Sequence, residues 1–517
     1  MRTFARLWVG GCIGAVVAAL VCGPALGSAA RAPRVSVEVA SSTVQIAGWD
    51  GWIPLSLGVW VTNRGNAPLE VRVGRDGYGD PITAEIRLGK RLLPVPEGIP
   101  TTFSGFTSFA HVTVTDRAGT IVHEQDLPFC PNGWNRARLS PTARVTSAYP
   151  DDCSGFNPFT LGSVWGIDAG WATALSTDGG FSGPGGVYRV HLEVETALAD
   201  LLGIPRAARA ADISLAVTMQ TSEWLAEGEG SGTALPVDRR SSSSSRVPHR
   251  LPAGLPRLAS SAQVAPSTLP DLVALPAWAM LAEPQDGRDY LQFAAAVWNR
   301  GPGVLAVEGF RTPGEDVMDA YQFFYRNGKA RGYASTGTLE YDRQSAHDHW
   351  HFTDFARYEL VSTETADVVR SQKEAFCIAP TDAIDLRVRG ASYHPGSGDL
   401  HTACGDATAL WIREALAAGW GDTYYQWLPG QSFDITNLPN GTYHVRVIAN
   451  PDGRLFERTR ANNESSRLVV LDGVPGARTV TVPPYMGIDT EAPPEPPSDP
   501  EPEPETEDAH RPVRLLG

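Results

Sequence analysis

Apolar and polar residues alternate with a period of two over much of this chain, and this alternation constrains its fold more than any other feature. Residues 112–115, 188–194 and 443–448 are clear examples. Because successive side chains of a strand point to opposite faces, the pattern predicts half-buried β-strands. Helices are expected only in short segments, at 196–202 and 407–418. The predicted fold is therefore mainly β.

Composition bounds the size and the charge of the protein. The 517 residues are enough for about three domains, and 42% of them are hydrophobic, which is sufficient for sizeable cores. The formal net charge of −15 repels phosphate backbones, so nucleic acid is not expected as a partner. Lysine occurs only at positions 90, 329 and 373, which leaves few candidates for lysine chemistry.

Residues 1–30 have the pattern of an export signal peptide. Arg2 and Arg6 precede an apolar run at 7–21, and small residues follow, with cleavage expected near Gly27 or Ala30. A membrane anchor is the alternative interpretation, but the run has only about 15 residues and a membrane span needs about 20. We therefore expect a secreted protein that has no membrane span.

Two stretches of biased composition divide the remainder of the chain. Residues 228–268 are rich in Ser, Pro, Gly, Ala and Arg and predict a disordered linker. Residues 493–517 include alternating proline and acidic residues and predict an acidic, solvated tail. Two β domains are therefore expected, a first region at 34–222 and a second region at 269–485.

Four cysteines remain once the signal peptide is removed, and an even number in an exported protein favours disulfides. Members of each neighbouring pair lie 23 and 27 residues apart, and more than 200 residues separate the pairs. The predicted bridges are therefore local, Cys130–Cys153 and Cys377–Cys404. A thiolate metal site is the alternative, but no Cys-x-x-Cys spacing occurs.

Several landmarks recur in the same order in the two regions, which indicates an internal duplication. They are 61–65 with 297–301, 106–110 with 352–356, 129–130 with 376–377, the tryptophans 165 and 171 with 420 and 427, and 186–188 with 441–443.

Three histidines at a spacing of two, His347, His349 and His351, stand just before an alternating stretch in the second region. Residues two apart on a strand project from one face, so the three imidazoles are able to converge on one metal ion. All-nitrogen ligation suits copper, zinc or nickel and excludes none of them. The spacing therefore predicts a metal site.

An ordered set of motifs surrounds these histidines, and with them the second region resembles the lysyl oxidase family. The motifs are Leu269-Pro-Asp-Leu272, His347-x-His349-x-His351, Lys373-Glu-Ala-Phe-Cys377, Asp422-Thr-Tyr424, Gln431, Asp434-Ile-Thr436, Pro439-x-Gly441-x-Tyr443, Asn450-Pro451, Asn462-Asn463 and Val482-Pro-Pro-Tyr485.

This resemblance implies a secreted amine oxidase in which the three histidines ligate copper. It also implies that Lys373 and Tyr424 become a lysine tyrosylquinone, which oxidises primary amines or peptidyl lysine to aldehydes with dioxygen and releases hydrogen peroxide and ammonia. Asp354 is the candidate general base, and a hydrogen bond from Asp354 to a ligating histidine is the alternative role. The oligomeric state is not predicted.

The first region lacks these residues. The positions that answer the three histidines are Thr101, Phe103 and Gly105, and Tyr424 falls opposite Asp168 or Ala169 when the tryptophans are aligned. The expected architecture is two β-sandwich-like domains, of which the N-terminal one is a degenerate, non-catalytic copy of the C-terminal lysyl-oxidase-like domain.

Two other functions remain open at this point. One is a non-enzymatic extracellular adhesion or binding protein of two β-sandwiches with a structural metal site. The other is a zinc hydrolase, although no acid/base motif stands near the histidines. An intact Lys373 and Tyr424 favour the amine oxidase over both, because neither alternative needs that pair.

Overall fold

The computed structural model describes residues 32–88, 91–96, 99, 101–153, 157–177, 179–220, 251, 254–343, 349–353, 355–371, 373, 375–488 and 490–491. The expected signal peptide, the acidic tail and most of the expected linker lie outside these residues. So do His347 and Asp354.

The first region contains sixteen strands and one short helix among its described residues. The helix α1 (Thr196–Leu201) lies in the segment where a helix was expected. The strands are β1 (Val35–Val39), β2 (Thr43–Trp49), β3 (Trp52–Pro54), β4 (Val59–Asn63), β5 (Leu69–Gly74), β6 (Thr83–Leu88), β7 (Arg91–Pro94), β8 (Thr101–Thr102), β9 (Gly105–Thr115), β10 (Ile121–Phe129), β11 (Arg136–Arg138), β12 (Gly162–Ile167), β13 (Trp171–Ala174), β14 (Gly180–Ser182), β15 (Gly186–Val194) and β16 (Ala210–Gln220).

The second region also has sixteen strands among the residues described. They are β17 (Leu272–Ala274), β18 (Trp278–Gln285), β19 (Arg288–Asn299), β20 (Leu305–Phe310), β21 (Val317–Arg326), β22 (Lys329–Asp342), β23 (His349–Phe352), β24 (Ala356–Ser362), β25 (Val368–Arg370), β26 (Asp382–Ala383), β27 (Trp411–Leu416), β28 (Trp420–Tyr424), β29 (Ser432–Asp434), β30 (Gly441–Ala449), β31 (Glu464–Val474) and β32 (Ala477–Thr481). The prediction of a mainly β protein is confirmed.

Three sets of strand pairings in the first region have counterparts in the second. The order β1-β4-β13 corresponds to β17-β19-β28, β12-β5-β6-β7 corresponds to β27-β20-β21-β22, and β9-β15-β16 corresponds to β24-β30-β31. All of these neighbours are antiparallel. The two regions therefore share a topology, while their descent from one duplicated sequence stays a prediction.

A buried asparagine makes the same hydrogen bonds at the same place in each region. Asn63 donates to the carbonyls of Ala67 and Ile167, and Asn299 donates to those of Gly303 and Leu416. In each case the side-chain oxygen accepts from two backbone N–H groups. Because both side chains are fully buried, these bonds satisfy groups that water cannot reach.

The strand register corrects one sequence alignment. Leu175 donates its backbone N–H to the carbonyl of Val59 at 2.9 Å, just as Tyr424 pairs with Ala295 in the second region. The counterpart of Tyr424 is therefore Leu175 and not Asp168 or Ala169. The tryptophan alignment failed because Trp171, and not Trp165, occupies the register position of Trp420.

Each region has its own apolar core, and a further cluster joins them. Phe159 of the first region is fully buried against Trp278 and Tyr485 of the second. Backbone hydrogen bonds cross the same boundary, from Leu161 to Ile384 at 2.7 Å and from Leu386 to Gly162 at 2.9 Å. The two regions therefore pack directly on one another.

The structure differs from the sequence expectations in two segments. Residues 411–416, expected as part of a helix, form strand β27 because they pair with β20 along their whole length. Residues 254–268, expected as the end of the disordered linker, pack on the second region: Leu258 donates to the carbonyl of Tyr333, and Val264 is buried. Val264 packs in a small apolar cluster with Phe324 and Ala334, so low apolar content did not prevent ordering.

Both predicted disulfides are confirmed. Cys130–Cys153 and Cys377–Cys404 join Cα atoms 5.7 and 6.2 Å apart, and each bridge stays within one region. Within the described part of the chain, no helix is long and apolar enough to cross a membrane.

Candidate active site

Strand β23 presents two of the predicted histidines on one face. It pairs with the end of β22, with His349 opposite Asp342 and His351 opposite Glu340. The intervening Trp350 points to the other face, where it is fully buried and donates its indole N–H to the carbonyl of Asp406 at 2.9 Å. Because side chains alternate along the strand, Trp350 packs into the core while His349 and His351 share the opposite face.

The two imidazoles converge. Their Nε2 atoms lie 2.8 Å apart, and His351 is buried with its Nδ1 3.8 Å from a carboxylate oxygen of Asp342. Two nitrogens that are each about 2 Å from one ion, at a right angle, stand about 2.8 Å apart, so this spacing fits a pair of metal ligands. Within the described residues no group of three His, Cys, Asp or Glu side chains is arranged for a metal ion.

The segment that carries Lys373 is held directly beside β23. Phe352 and Phe376 exchange backbone hydrogen bonds at 2.7 and 3.0 Å, and the N–H of Trp350 donates to the carbonyl of Cys404. The Cys377–Cys404 disulfide then joins the two segments that flank the strand. A lysine that is 22 residues from His351 in sequence is thereby fixed next to the histidine strand.

Lys373 is buried against two aromatic rings. Its Nζ lies 4.4 Å from the ring centroid of Tyr424 and 5.3 Å from that of Phe376. Only 7% of the side chain is exposed. Burial lowers the pKa of the amine from 10.5 to about 8, against the opposing effect of the Asp422 and Asp342 carboxylates. The structure thus holds a partly deprotonated, nucleophilic amine over the face of a tyrosine ring.

Tyr424 lies at the end of β28 and is fixed by three contacts. Its backbone pairs with Ala295 on β19, its hydroxyl donates to the carbonyl of Cys377 at 3.1 Å, and its ring meets Phe376 edge to face at 5.0 Å. Burial raises the pKa of the phenol well above its usual range, and the carboxyl of Asp422 acts in the same direction. The phenol is therefore neutral at physiological pH.

Two buried carboxyl groups for which the sequence predicts no role complete the site. Asp422 stands two residues before Tyr424 on β28, and Glu414 lies on β27 with its carboxylate accepting from the N–H of Ile378 at 3.1 Å. Burial raises the pKa of both groups well above the usual range. The Asp422-Thr-Tyr424 motif contains Asp422, whereas Glu414 lies in the segment 407–418 that local sequence predicts as a helix.

The structure therefore brings together four of the six predicted site residues in two pairs, His349 with His351 and Lys373 with Tyr424. The other two, His347 and Asp354, lie outside the described residues.

Part of the second region is similar to known proteins. Residues 322–475 match the family model described as lysyl oxidase, a range that spans the histidines, Lys373 and Tyr424. The chain is 26% identical over 140 residues to mouse lysyl oxidase homolog 4, 25% over 133 residues to zebrafish (Danio rerio) lysyl oxidase homolog 3B, and 26% over 141 residues to Xenopus tropicalis lysyl oxidase homolog 2.

These alignments cover limited parts of both partners. They take in 27%, 25% and 27% of this chain and 16%, 14% and 16% of the respective relatives. The chain thus matches about one sixth of the length of these proteins, and the first region lies outside the matched range. Within the C-terminal half of the chain, residues 322–475 thus form a domain that matches the lysyl oxidase family.

Proposed function

We propose that this protein is a secreted, copper-dependent amine oxidase whose quinone cofactor forms from Lys373 and Tyr424. The overall reaction converts a primary amine, dioxygen and water into an aldehyde, ammonia and hydrogen peroxide. Its substrates are peptidyl lysine or small primary amines. The observation that carries the proposal is the position of the Lys373 amine 4.4 Å from the centre of the Tyr424 ring.

The contacts around this pair suit the formation of a bond between the amine and the ring. The hydrogen bond from the Tyr424 hydroxyl to Cys377 and the edge of Phe376 fix the ring, so the amine meets it in one orientation. The pKa of about 8 leaves a useful fraction of Lys373 neutral at physiological pH, and only the neutral amine is a nucleophile. The side chain is too buried to serve as a solvated surface charge.

His349 and His351, with His347, would hold the copper ion. When bound, copper supplies the redox chemistry that matures the tyrosine, and the quinone supplies an electron sink for the substrate amine. The convergent Nε2 atoms are the donor set that supports this assignment. Asp342, close to Nδ1 of His351, orients that imidazole so that its Nε2 faces the site.

Buried carboxyl groups control protons near the cofactor. Asp422 lies on the same strand face as Tyr424, and the positive charge of Lys373 lowers its pKa against the larger effect of burial. The charges of Asp422 and Lys373 therefore influence one another, and we assign this carboxyl a role in proton exchange with the amine. Asp354 remains our candidate for the base that removes the proton from the substrate carbon.

A non-enzymatic binding protein has no use for this arrangement. Burying an ammonium group next to buried carboxyl groups opposes stability, and a binding protein of two sandwiches would gain nothing from it. The Lys373 and Tyr424 pair therefore favours the oxidase over the adhesion alternative.

The test is a pair of lysine substitutions in the copper-loaded full chain. Lys373→Arg keeps a cation but removes the primary amine, and arginine is essentially always protonated, so the bond to the ring should not form. We expect this variant to retain copper, to lose the visible absorption of the phenylhydrazine adduct, and to produce no hydrogen peroxide from primary amines.

Lys329→Arg is the matched control, because Lys329 is an exposed residue at the start of β22. It should keep the adduct and the oxidase activity of the parent protein. Turnover of amines at the parental rate by copper-loaded Lys373→Arg would reject the lysine tyrosylquinone.

A further inference from the structure

The first region has a cavity of about 750 Å³ beside the Cys130–Cys153 disulfide. Its walls include Val59, Phe129 and Leu175. By strand register and disulfide position these residues are the counterparts of Ala295, Phe376 and Tyr424 in the candidate active site. The first region thus has an open cavity where the second region holds its reactive pair.

The lining of this cavity is amphipathic and nearly uncharged. No Lys, Arg or His occurs among its described lining residues, and Asp152 supplies the one carboxylate among them. Exposed hydroxyl groups of Ser56, Ser104 and Ser176 and the amide of Asn135 border the apolar walls. The absence of a cation disfavours phosphate or carboxylate ligands.

Trp134 lines the same cavity and is 86% exposed. An exposed indole at the border of a cavity offers a large, flat apolar face to a ligand.

The loop that carries Trp134 is nevertheless rigidly held. Within it, the fully buried Asn132 donates to the carbonyls of Asp152 and Val164 and accepts from the N–H of Gly166. Thr173 donates to the carbonyl of Pro131, and the disulfide closes the loop at Cys130. The backbone that carries Trp134 is therefore preorganised, and ligand binding would not require the loop to become ordered.

We propose that this cavity binds a neutral polysaccharide, with a sugar ring stacked on Trp134. A sugar ring has an apolar C–H face for the indole and hydroxyl groups at its edge for the serine, asparagine and aspartate side chains. A wholly apolar ligand would instead remove these polar groups from water without replacing their hydrogen bonds. The site is separate from the oxidase chemistry and does not depend on it.

The experiment is native electrophoresis of the full chain through gels that contain a soluble neutral polysaccharide: dextran, galactomannan or mixed-linkage β-glucan. We expect at least one of the three to retard the protein. Trp134→Ala should weaken that retardation at least tenfold, without lowering the melting temperature, because the side chain is exposed. Ser56→Arg, which places a bulky cation at an exposed position of the lining, should do the same.

Trp427→Ala is the matched control, since Trp427 is an exposed tryptophan of the second region. It should bind within twofold of the parent protein. The proposal is overturned if none of the three polysaccharides retards the chain or if Trp134→Ala binds as the parent does.

Discussion

At the scale of single residues, Lys373 is the side chain whose chemistry depends most on its surroundings. Its amine has a pKa of about 8 in the folded protein, against 10.5 for a solvated lysine. The shift means that folding disfavours the protonated form, by about 3 kcal/mol at neutral pH. The burial that makes the amine nucleophilic therefore also lowers the stability of the folded protein.

We predict that Lys373→Met stabilises the copper-free protein. Methionine fills a similar volume without a charge, so the free energy of unfolding at pH 7 should rise by about 2–3 kcal/mol. Between pH 8 and 10.5 the unfolded parent binds more protons than the folded parent, so the parent gains stability as pH rises and the difference shrinks. Urea denaturation of both proteins between pH 7 and 9.5 measures this.

Lys329→Met is the control for this measurement, and its effect should stay within about 0.5 kcal/mol at every pH, as for an exposed residue. A gain from Lys373→Met that does not change between pH 7 and 9.5 would contradict the lowered pKa.

At the scale of elements, the Cys377–Cys404 disulfide braces the candidate site from both sides. The carbonyl of Cys377 accepts from the Tyr424 hydroxyl, and the carbonyl of Cys404 accepts from the N–H of Trp350 on the histidine strand. The bridge therefore sets the position of two short elements, β23 and the end of β28, relative to each other.

We predict different consequences for the loss of each disulfide. Replacing Cys377 and Cys404 by serine should lower the free energy of unfolding by about 3 kcal/mol, reduce the copper content and slow formation of the quinone. Replacing Cys130 and Cys153 should cost a similar amount of stability but leave copper and quinone unchanged. Denaturation, metal analysis and the phenylhydrazine adduct provide the three readouts. Equal loss of quinone in both double variants would contradict the bracing role.

At the scale of the whole molecule, the two regions share a buried boundary as well as a chain. Phe159 is fully buried there, with its ring 5.0 Å from Tyr78 and 5.8 Å from Trp278. Arg387 of the second region donates to the carbonyl of Arg75 at 3.0 Å. The linker is consequently not the only connection between the regions.

We predict that limited proteolysis first cuts between residues 228 and 253, where composition indicates a linker, and that the two fragments then elute together in size-exclusion chromatography. Phe159→Ala removes about 3–5 kcal/mol of packing from the boundary and should let the cut fragments separate. The exposed Ile121→Ala should leave them together. Fragments of the parent that separate without denaturant would show that the boundary is weak.

The sequence by itself determined the β class and both disulfide pairs, and it singled out Lys373 and Tyr424, whose amine and ring centroid lie 4.4 Å apart in the structure. These features depend on local periodicity, on the separation of cysteines along the chain, and on motifs that keep their order. The prediction of a helix at 407–418 was wrong because it used local propensity alone. Residues 411–416 have adequate helix propensity, but their pairing with β20 outweighs it.

Only the tertiary structure decided the surroundings of these residues. The pKa of Lys373 depends on its burial and on Asp422 and Asp342, which are 49 and 31 positions away in sequence, so no local pattern predicts it. Tertiary structure also decides the burial of Glu414, and only the strand register identifies Leu175 as the counterpart of Tyr424. Burial and long-range charge are properties of side chains that meet only after folding, and they determine which groups are reactive.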